Sequence, residues 1–536
     1  MKSTMMTSPL LVPDMTERAS RLFCNVDVVS VLPDGTRHRS TLGDLHMRSR
    51  QLAGALQSAG LVKGDRVATL MWNEREHLEA YFGIPAAGGV LHALNMRLHT
   101  QDLAHVVAHA QDRFLIVEDV LLPIYEQLRP FVQFERVFVV NRCGEKLPEG
   151  AECSEVFLAE AAGAFRQPDL SEYDPAAICY TSGTTGKPKG VVYSHRSICL
   201  HALCISLPDQ LSISRFETVC PISSMFHVNA WGLPFAGTMA GSRIVLPGRN
   251  LQPEALLDLM EAEQVTLSAA VPTVWMAILN ALESTPGRWK LSPKLRIAMG
   301  GAAAAESLLR RFDKLGMHVI HAWGMTETGP LATAATLKPE MDSWSDDDRY
   351  AQRSRQGMAL PFIELRAVSD DGECPWDGET TGELEIRGPW VAAGYYGIDQ
   401  SSQWTADGWF RTGDVVSIDP EGYIRITDRL KDLIKSGGEW ISSVDLENTL
   451  IGHPTVREAA VIAVPHPKWQ ERPLAVIILR DGASVEAAEL RAFLEKSFAR
   501  WQVPDAFVFV EELPHTSTGK LLKTKLRNDF RDWQWE

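Results

Sequence analysis

The 536-residue sequence predicts an α/β protein with a large N-terminal domain and a small α+β C-terminal domain. Three observations carry that prediction. Strand-like apolar runs alternate with stretches of helical spacing as far as Trp323, the rhythm of parallel, doubly wound sheets. From about residue 360, short β runs between Gly-Glu, Asp-Gly and Pro-Glu-Gly turns replace that rhythm and predict a β-rich subdomain. After Asp428 the α/β pattern resumes. The length exceeds what one hydrophobic core organises, so several domains are required.

In chain order, Leu45, Leu52 and Leu56 recur at helical spacing, and Arg66–Trp72 follows a Gly-Asp turn as a β-rich run. A helical stretch from Glu76 leads to the strand-like Val90–Leu94, a helix over 101–110 and the strand-like Arg113–Val117. The same alternation returns with a helix over 253–263, strand Val265–Val271, a helix over 304–315 and strand His318–Trp323. No repeat of solenoid period is visible, so two similar α/β subdomains are expected. The β-rich part contains Gly382–Arg387, Trp409–Val416 and Tyr423–Ile426. Beyond it come strands Ala459–Val464 and Leu474–Leu479, then a helix with Leu490, Phe493, Leu494, Phe498 and Trp501 on one face. The boundary is placed at 427/428, giving a body of residues 1–427 and a C-terminal domain of residues 428–536.

A make-up of 45% apolar and 23% charged residues excludes disorder, collagen-like structure and a small disulfide scaffold. The net charge of −15 argues against broad nucleic-acid binding, which needs a basic footprint. Anionic small molecules are not excluded, because local sites can oppose the global sign. From Asp428 onward 15 basic residues face 17 acidic ones, so −13 of the charge lies on the body. The eight cysteines form no C-x-x-C pair and no metal-like spacing with histidine, which points to a reducing compartment and away from zinc. The apolar stretch near Met1 is too short for a signal peptide, and prolines and Asp14 break it. No apolar run is long enough to span a bilayer. A cytoplasmic protein is expected, with a peripheral membrane contact and a homodimer left open.

The strongest chemical signal is Tyr180-Thr-Ser-Gly-Thr-Thr-Gly-Lys-Pro-Lys-Gly190, flanked by the β-forming Ile178-Cys-Tyr and Val191-Val-Tyr. Glycines let backbone approach a phosphate, their N–H groups form an anion nest, and hydroxyl and ammonium groups add donors. Gly183 and Gly186 are too close together for a Walker A motif. A flexible Ser/Thr/Gly linker would be out of place between two strands.

This run resembles the phosphate-loop signature of the adenylate-forming (ANL) superfamily of acyl-CoA synthetases, luciferases and peptide-synthetase adenylation domains. Other motifs of that superfamily follow in order. Gly300-Gly-Ala-Ala-Ala is similar to its adenine-side glycine turn, and His321-Ala-Trp-Gly-Met-Thr-Glu327 to its nucleotide and magnesium motif. Trp409-Phe-Arg-Thr-Gly-Asp414 resembles the ribose-binding motif. The run from Thr427 to Ile441 resembles the hinge and glycine loop, and Pro514-His-Thr-Ser-Thr-Gly-Lys520 the catalytic-lysine motif. Met225-Phe-His-Val-Asn-Ala-Trp231 is most similar to bacterial medium- and long-chain fatty-acyl-CoA synthetases and methylmercaptopropionate-CoA ligases.

The resemblance implies an AMP-forming acyl-CoA synthetase with ATP, Mg2+ and coenzyme A, and a C-terminal domain that works as a mobile lid. Lys520 would bridge carboxylate and α-phosphate; Thr184, Thr326, Glu327 and Lys435 would share the catalysis, with Glu327 and Thr184 at the metal. A hard carboxylate suits a cation that also bridges phosphates. Nucleotide contacts fall on Thr181, Ser182, Gly183, Thr185, Gly186, Lys187, Lys189, Gly301, Ala302, Trp323, Gly324, Met325, Asp414 and Arg429. Trp323 stands where the family usually has tyrosine, and His515 where it often has arginine. Asp428 would be the hinge, and Gly437, Gly438, Glu439 and Trp440 would line the thiol's route after rotation. His227 would sit near the acyl carboxylate and Trp231 would gate the acyl tunnel. No Lys or Asp around Pro272–Trp275 or Gly301–Ala304 is placed to read an ammonium group, so an apolar medium- or long-chain fatty acid is expected. A short-chain or 3-methylmercaptopropionate ligase and an adenylating enzyme with a non-CoA acceptor are the alternatives.

Overall fold

A computed structural model describes the chain except residues 2, 161–162, 164, 182–186, 399–401, 437–438, 517–519 and 536. The expected alternation is present. Helix Leu42–Ser58 starts at a reciprocal cap in which Thr41 and Asp44 bond each other's backbone N–H, and it buries Leu45, Leu52 and Leu56. It packs on the almost wholly buried helix Arg75–Ala86, which lies between strands Arg66–Leu70 and Val90–Ala93. These strands belong to a seven-stranded sheet, parallel except for the terminal hairpin of Pro175–Tyr180 and Gly190–Ser194.

A nine-stranded sheet forms the second subdomain, with Thr218–Pro221, Leu267–Ala270, Arg296–Gly300 and His318–Gly324 among its parallel strands. Its far edge is made from the N-terminal hairpin Asp27–Val31 and Arg37–Thr41, so the two subdomains are not consecutive in sequence. The β-rich subdomain is a five-stranded antiparallel sheet that includes Gly382–Arg387, Phe410–Ile418 and Ile424–Arg429. Strand Ile424–Arg429 carries the chain across 427/428, so Asp428 still pairs with Val415 while its side chain bonds into the lid.

The lid has its own five-stranded sheet and two apolar clusters made only of residues from Ile434 onward. One expectation needs correction: the helix Ala487–Leu494 stops before Phe498 and Trp501. Bonds such as Ser497 N–H to Leu494 C=O wind the chain into tighter turns, and Trp501 is 44% exposed. Its carbonyl and that of Val503 are taken by the Arg472 guanidinium, which also pairs with Asp505. This side chain anchors the segment that follows the helix.

Candidate active site

The carboxyl ends of strands from both large sheets lead into the expected site residues, where open α/β sheets place their ligands. Pro175–Tyr180 leads into the phosphate loop, Arg296–Gly300 into Gly301, and His318–Gly324 into Thr326 and Glu327. Strand Thr218–Pro221 leads toward His227, and Asn73 fixes that loop by bonding the carbonyls of Pro221 and Ser223 and the N–H of Met225.

At the base of the phosphate loop, Thr181 N–H donates to Lys189 C=O at 2.9 Å and Lys189 N–H returns a bond to Thr181 Oγ1. The preceding strand is buttressed by His109 against the Tyr180 hydroxyl at 2.7 Å. Lys187 is exposed, whereas Lys189 Nζ donates to Gln403 Oε1 at 2.9 Å and lies over the Tyr395 ring. Ser182, Gly183, Thr184, Thr185, Gly186, Gly437 and Gly438 lie outside the described residues, as does the Glu439 side chain.

Lys520 reaches the body. A Cβ built on Gly301 would lie 3.2 Å from Lys520 Cε and 3.3 Å from Val271 Cγ1, and Gly301 has φ +85°. Ala302 follows in the same exposed turn. Glycine thus gives both the left-handed turn and the clearance for the lysine stem. Burial and then Arg429 push the Lys520 ammonium down to about 8, against the opposing charges of Asp414 and Glu327. Gly301→Ala is therefore expected to slow pyrophosphate release about tenfold, from roughly 1–2 kcal/mol of strain and a displaced lysine, and to spare thioester formation from supplied acyl-AMP. Equal slowing of both steps would contradict this placement.

Asp414 and Glu327 are 2% and 5% exposed. Asp414 Oδ2 accepts the Trp323 indole N–H at 3.0 Å, and Oδ1 pairs with Arg429 Nε at 3.0 Å. The tryptophan in the usual tyrosine position thus supplies a donor of its own. Each carboxylate oxygen keeps a second lone-pair direction for ribose hydroxyls. Gly324 admits no side chain, because Pro330 O lies 2.0 Å from where its Cβ would be. Met325 N–H donates to Thr328 Oγ1 and starts the turn Thr326–Thr328, in which Thr326 C=O accepts the Tyr193 hydroxyl. Glu327 Oε1 accepts the Tyr395 hydroxyl at 2.6 Å. The buried carboxylate offers a hard oxygen for Mg2+, which takes one or two protein carboxylates and completes its shell with phosphates and water. Among the described residues no group of three or more His, Cys, Asp or Glu forms a cage.

His227 is held neutral, its imidazolium pushed down to about 3 by burial and by Lys520 and Arg97. Residues Val228 to Trp231 all have positive φ, between +46° and +58°. Four consecutive left-handed residues other than glycine cost on the order of 1–2 kcal/mol each. This strained turn sets the indole of Trp231, whose edge lies 3.5 Å from a Cβ built on Gly300.

At the domain junction, Asp428 Oδ2 accepts both the N–H and the hydroxyl of Ser443, and burial raises its carboxyl above the usual range. Lys523 donates to Ser443 Oγ and Glu447, and Arg425 pairs with Asp445 across the junction. Lys435 and Trp440 are exposed on the lid, with the Lys435 ammonium 5.4 Å from the centre of the Trp440 ring. His515 pairs with Glu458, which raises its imidazolium. Tyr395, Gln403, Tyr193 and Ser443 escaped the sequence reading. The pair Tyr395-Tyr396 after Gly394, in a stretch without strand or helix period, was the one available hint of them.

A lysine from the C-terminal domain, set beside a buried aspartate and a buried glutamate of the large domain, suits a nucleotide-dependent, carboxylate-activating enzyme. The chain belongs to the AMP-binding enzyme family, which matches residues 17–396, with the AMP-binding enzyme C-terminal domain matching residues 445–520. It is 47% identical to a long-chain-fatty-acid–CoA ligase of Thermus thermophilus, covering 99% of this chain and 97% of that protein. It is 43% identical to a 3-methylmercaptopropionyl-CoA ligase of Ruegeria pomeroyi, with 99% of each covered. Among solved structures, ATP-bound MatB from Rhodopseudomonas palustris superposes with a TM-score of 0.81 at 26% identity, covering 97% of this chain and 99% of that one. The chain is an AMP-forming acid–thiol ligase of the adenylate-forming superfamily, with a small carboxylate, ATP and CoA as substrates and Mg2+ as the metal.

Proposed function

We propose that the acid is a medium- or long-chain fatty acid, activated at Lys520 and transferred to CoA after the lid (residues 428–536) turns about Asp428. The observation that carries this reading is the lid lysine packed against Gly301 with the charges of Arg429, Asp414 and Glu327 acting on it. In the first step a carboxylate oxygen attacks the α-phosphorus, the bond to the β-phosphate oxygen breaks and pyrophosphate leaves. Lys520 draws the two anions together, with Thr326 and Thr184 as hydroxyl donors. Thr181 to Gly186, Lys187 and Lys189 cradle the phosphates; Trp323, Gly301, Ala302, Gly324 and Met325 frame the base, and Asp414 and Arg429 the ribose. Glu327 and Thr184 would hold Mg2+, which would neutralise phosphate charge when bound. In the second step the CoA sulfur attacks the acyl carbonyl, its proton is lost and AMP departs. Lys435 and Gly437 to Trp440 line the thiol's path in that conformation.

The acyl preference is supported by a neutral His227 beside Lys520 and by the Trp231 indole against the Gly300 turn. The names of relatives acting on long- and medium-chain fatty acids support it too. The 3-methylmercaptopropionyl-CoA ligase relatives favour a second reading, a short sulfur-containing acid. Unpaired cysteines, eight in all, support a reducing, cytoplasmic setting. No described helix is long and apolar enough to cross a membrane.

The discriminating measurement is AMP release across straight-chain acids from two to eighteen carbons plus 3-methylmercaptopropionate, each with and without CoA. We expect CoA-dependent release at least about tenfold higher for the preferred length class, since each buried methylene contributes about 0.8 kcal/mol. Trp231→Ala is expected to flatten the length profile. A flat profile in the parent enzyme removes the tunnel reading, and release independent of CoA favours another acceptor.

A further inference from the structure

We infer that Tyr395 is a positioning residue that sets Glu327 for its cation and ties it to the phosphate loop. The inference rests on the reading of Glu327 as the Mg2+ ligand. Tyr395 is 6% exposed and belongs to the connection between the strands Gly382–Arg387 and Phe410–Ile418. Its hydroxyl donates to Glu327 Oε1 at 2.6 Å, while Ala392 N–H of the same connection donates to Glu327 C=O at 2.7 Å. One segment therefore grips both the side chain and the backbone of the glutamate.

The same segment grips the phosphate loop. Tyr396 N–H donates to Gly190 C=O at 2.8 Å, and Gln403 Oε1 accepts from Lys189 Nζ at 2.9 Å. The Lys189 ammonium stands 4.7 Å from the centre of the Tyr395 ring. A cation over the face is attracted by the ring's negative quadrupole, which helps hold the ring in place. Trp404 backs the arrangement, edge-on to Tyr395 at 5.0 Å and bonded through its indole N–H to Ala392 C=O.

A carboxylate that binds a cation through one oxygen can still rotate and can bind through either. Fixing Oε1 with a buried hydroxyl leaves Oε2 as the metal-facing atom and sets the plane of the group. Partners of this kind commonly change metal affinity or activity 10–100-fold when removed. The geometry also places the metal ligand at the hydroxyl and the second lysine of the loop over the ring of one side chain.

Tyr395→Phe keeps the ring, the stacking and the cation contact and deletes only the hydroxyl. The Mg2+ concentration for half-maximal pyrophosphate release is expected to rise about tenfold. Calorimetric affinity for MgATP is expected to fall by the same factor, while ATP in EDTA binds as in the parent. Thioester formation from supplied acyl-AMP and the melting temperature are expected to stay near the parent and report a folded protein. In the Glu327→Gln background the second substitution should add nothing, because Tyr395 acts through the carboxylate. A parent-like Mg2+ response of Tyr395→Phe, with Glu327→Gln shifted, overturns this inference alone. Multiplicative losses in the double variant overturn it too. A parent-like Mg2+ response of Glu327→Gln overturns the metal reading beneath it.

Discussion

Lys520→Ala is expected to slow pyrophosphate release by two to three orders of magnitude and to leave thioester formation from supplied acyl-AMP within a few-fold of the parent. The asymmetry follows from charge. A carboxylate and an α-phosphate repel as they close, and a positioned cation in a site shielded from water is the group that offsets this. Loss of one such group costs on the order of 10²–10³ in rate. In the second step the attacked carbon is a neutral acyl carbonyl, and in the proposed mechanism the lid would be turned away. The position of Lys520 against Gly301 and its depression to about 8 also set a pH signature. Its working form is protonated, so kcat/KM for adenylation should fall as pH rises through about 8, where the free enzyme loses that proton. Thiolysis of supplied acyl-AMP should lack this lysine's limb. A parallel loss of both steps on Lys520→Ala would assign the lysine to structure instead.

What the sequence disclosed followed physical scale. Alternating apolar runs report burial on two faces of a sheet, so strands such as Arg66–Leu70 and His318–Gly324 and the helix Leu42–Ser58 were legible from local pattern. The phosphate loop was legible because glycines and hydroxyls must be contiguous to form an anion nest. Contacts made across the fold left no such mark. Tyr395 meets Glu327 from 68 residues away, and Trp323 meets Asp414 from 91. Neither spacing has a period, and each partner taken alone reads as an ordinary core aromatic or turn acid. The path of the chain beyond helix Ala487–Leu494 was hidden for the same reason, since the carbonyls of Trp501 and Val503 are held by Arg472 from a distant strand. The N-terminal hairpin joining the second subdomain's sheet was equally invisible, because local alternation says nothing about which sheet a strand completes.

Asp414→Asn is expected to raise the KM for ATP by about 30–100-fold, with a smaller loss of kcat. The carboxylate now accepts from two protein donors, the Trp323 indole at Oδ2 and Arg429 at Oδ1, and its remaining lone pairs face outward from a buried position. An amide of the same shape retains a single acceptor oxygen. If that oxygen serves Trp323, the amide N–H₂ is turned on Arg429, and two donors then oppose each other. If it serves Arg429, the indole N–H loses its partner inside the core, at a cost of about 1–3 kcal/mol. In either orientation one ribose hydroxyl finds a donor where it had an acceptor. Loss of about 2–2.7 kcal/mol corresponds to the stated range, within what one charged hydrogen bond contributes. Trp323→Phe separates the terms: it keeps the aromatic face, removes the donor to Oδ2 and leaves the carboxylate intact. Its KM for ATP should therefore rise by no more than several-fold, in both ATP and 2′-deoxy-ATP assays. Asp414→Asn should instead narrow the difference between ATP and 2′-deoxy-ATP, because the carboxylate that reads the ribose is the group that was lost. A discrimination unchanged in Asp414→Asn would move the ribose contact to another residue, and Arg429 would be the next to test.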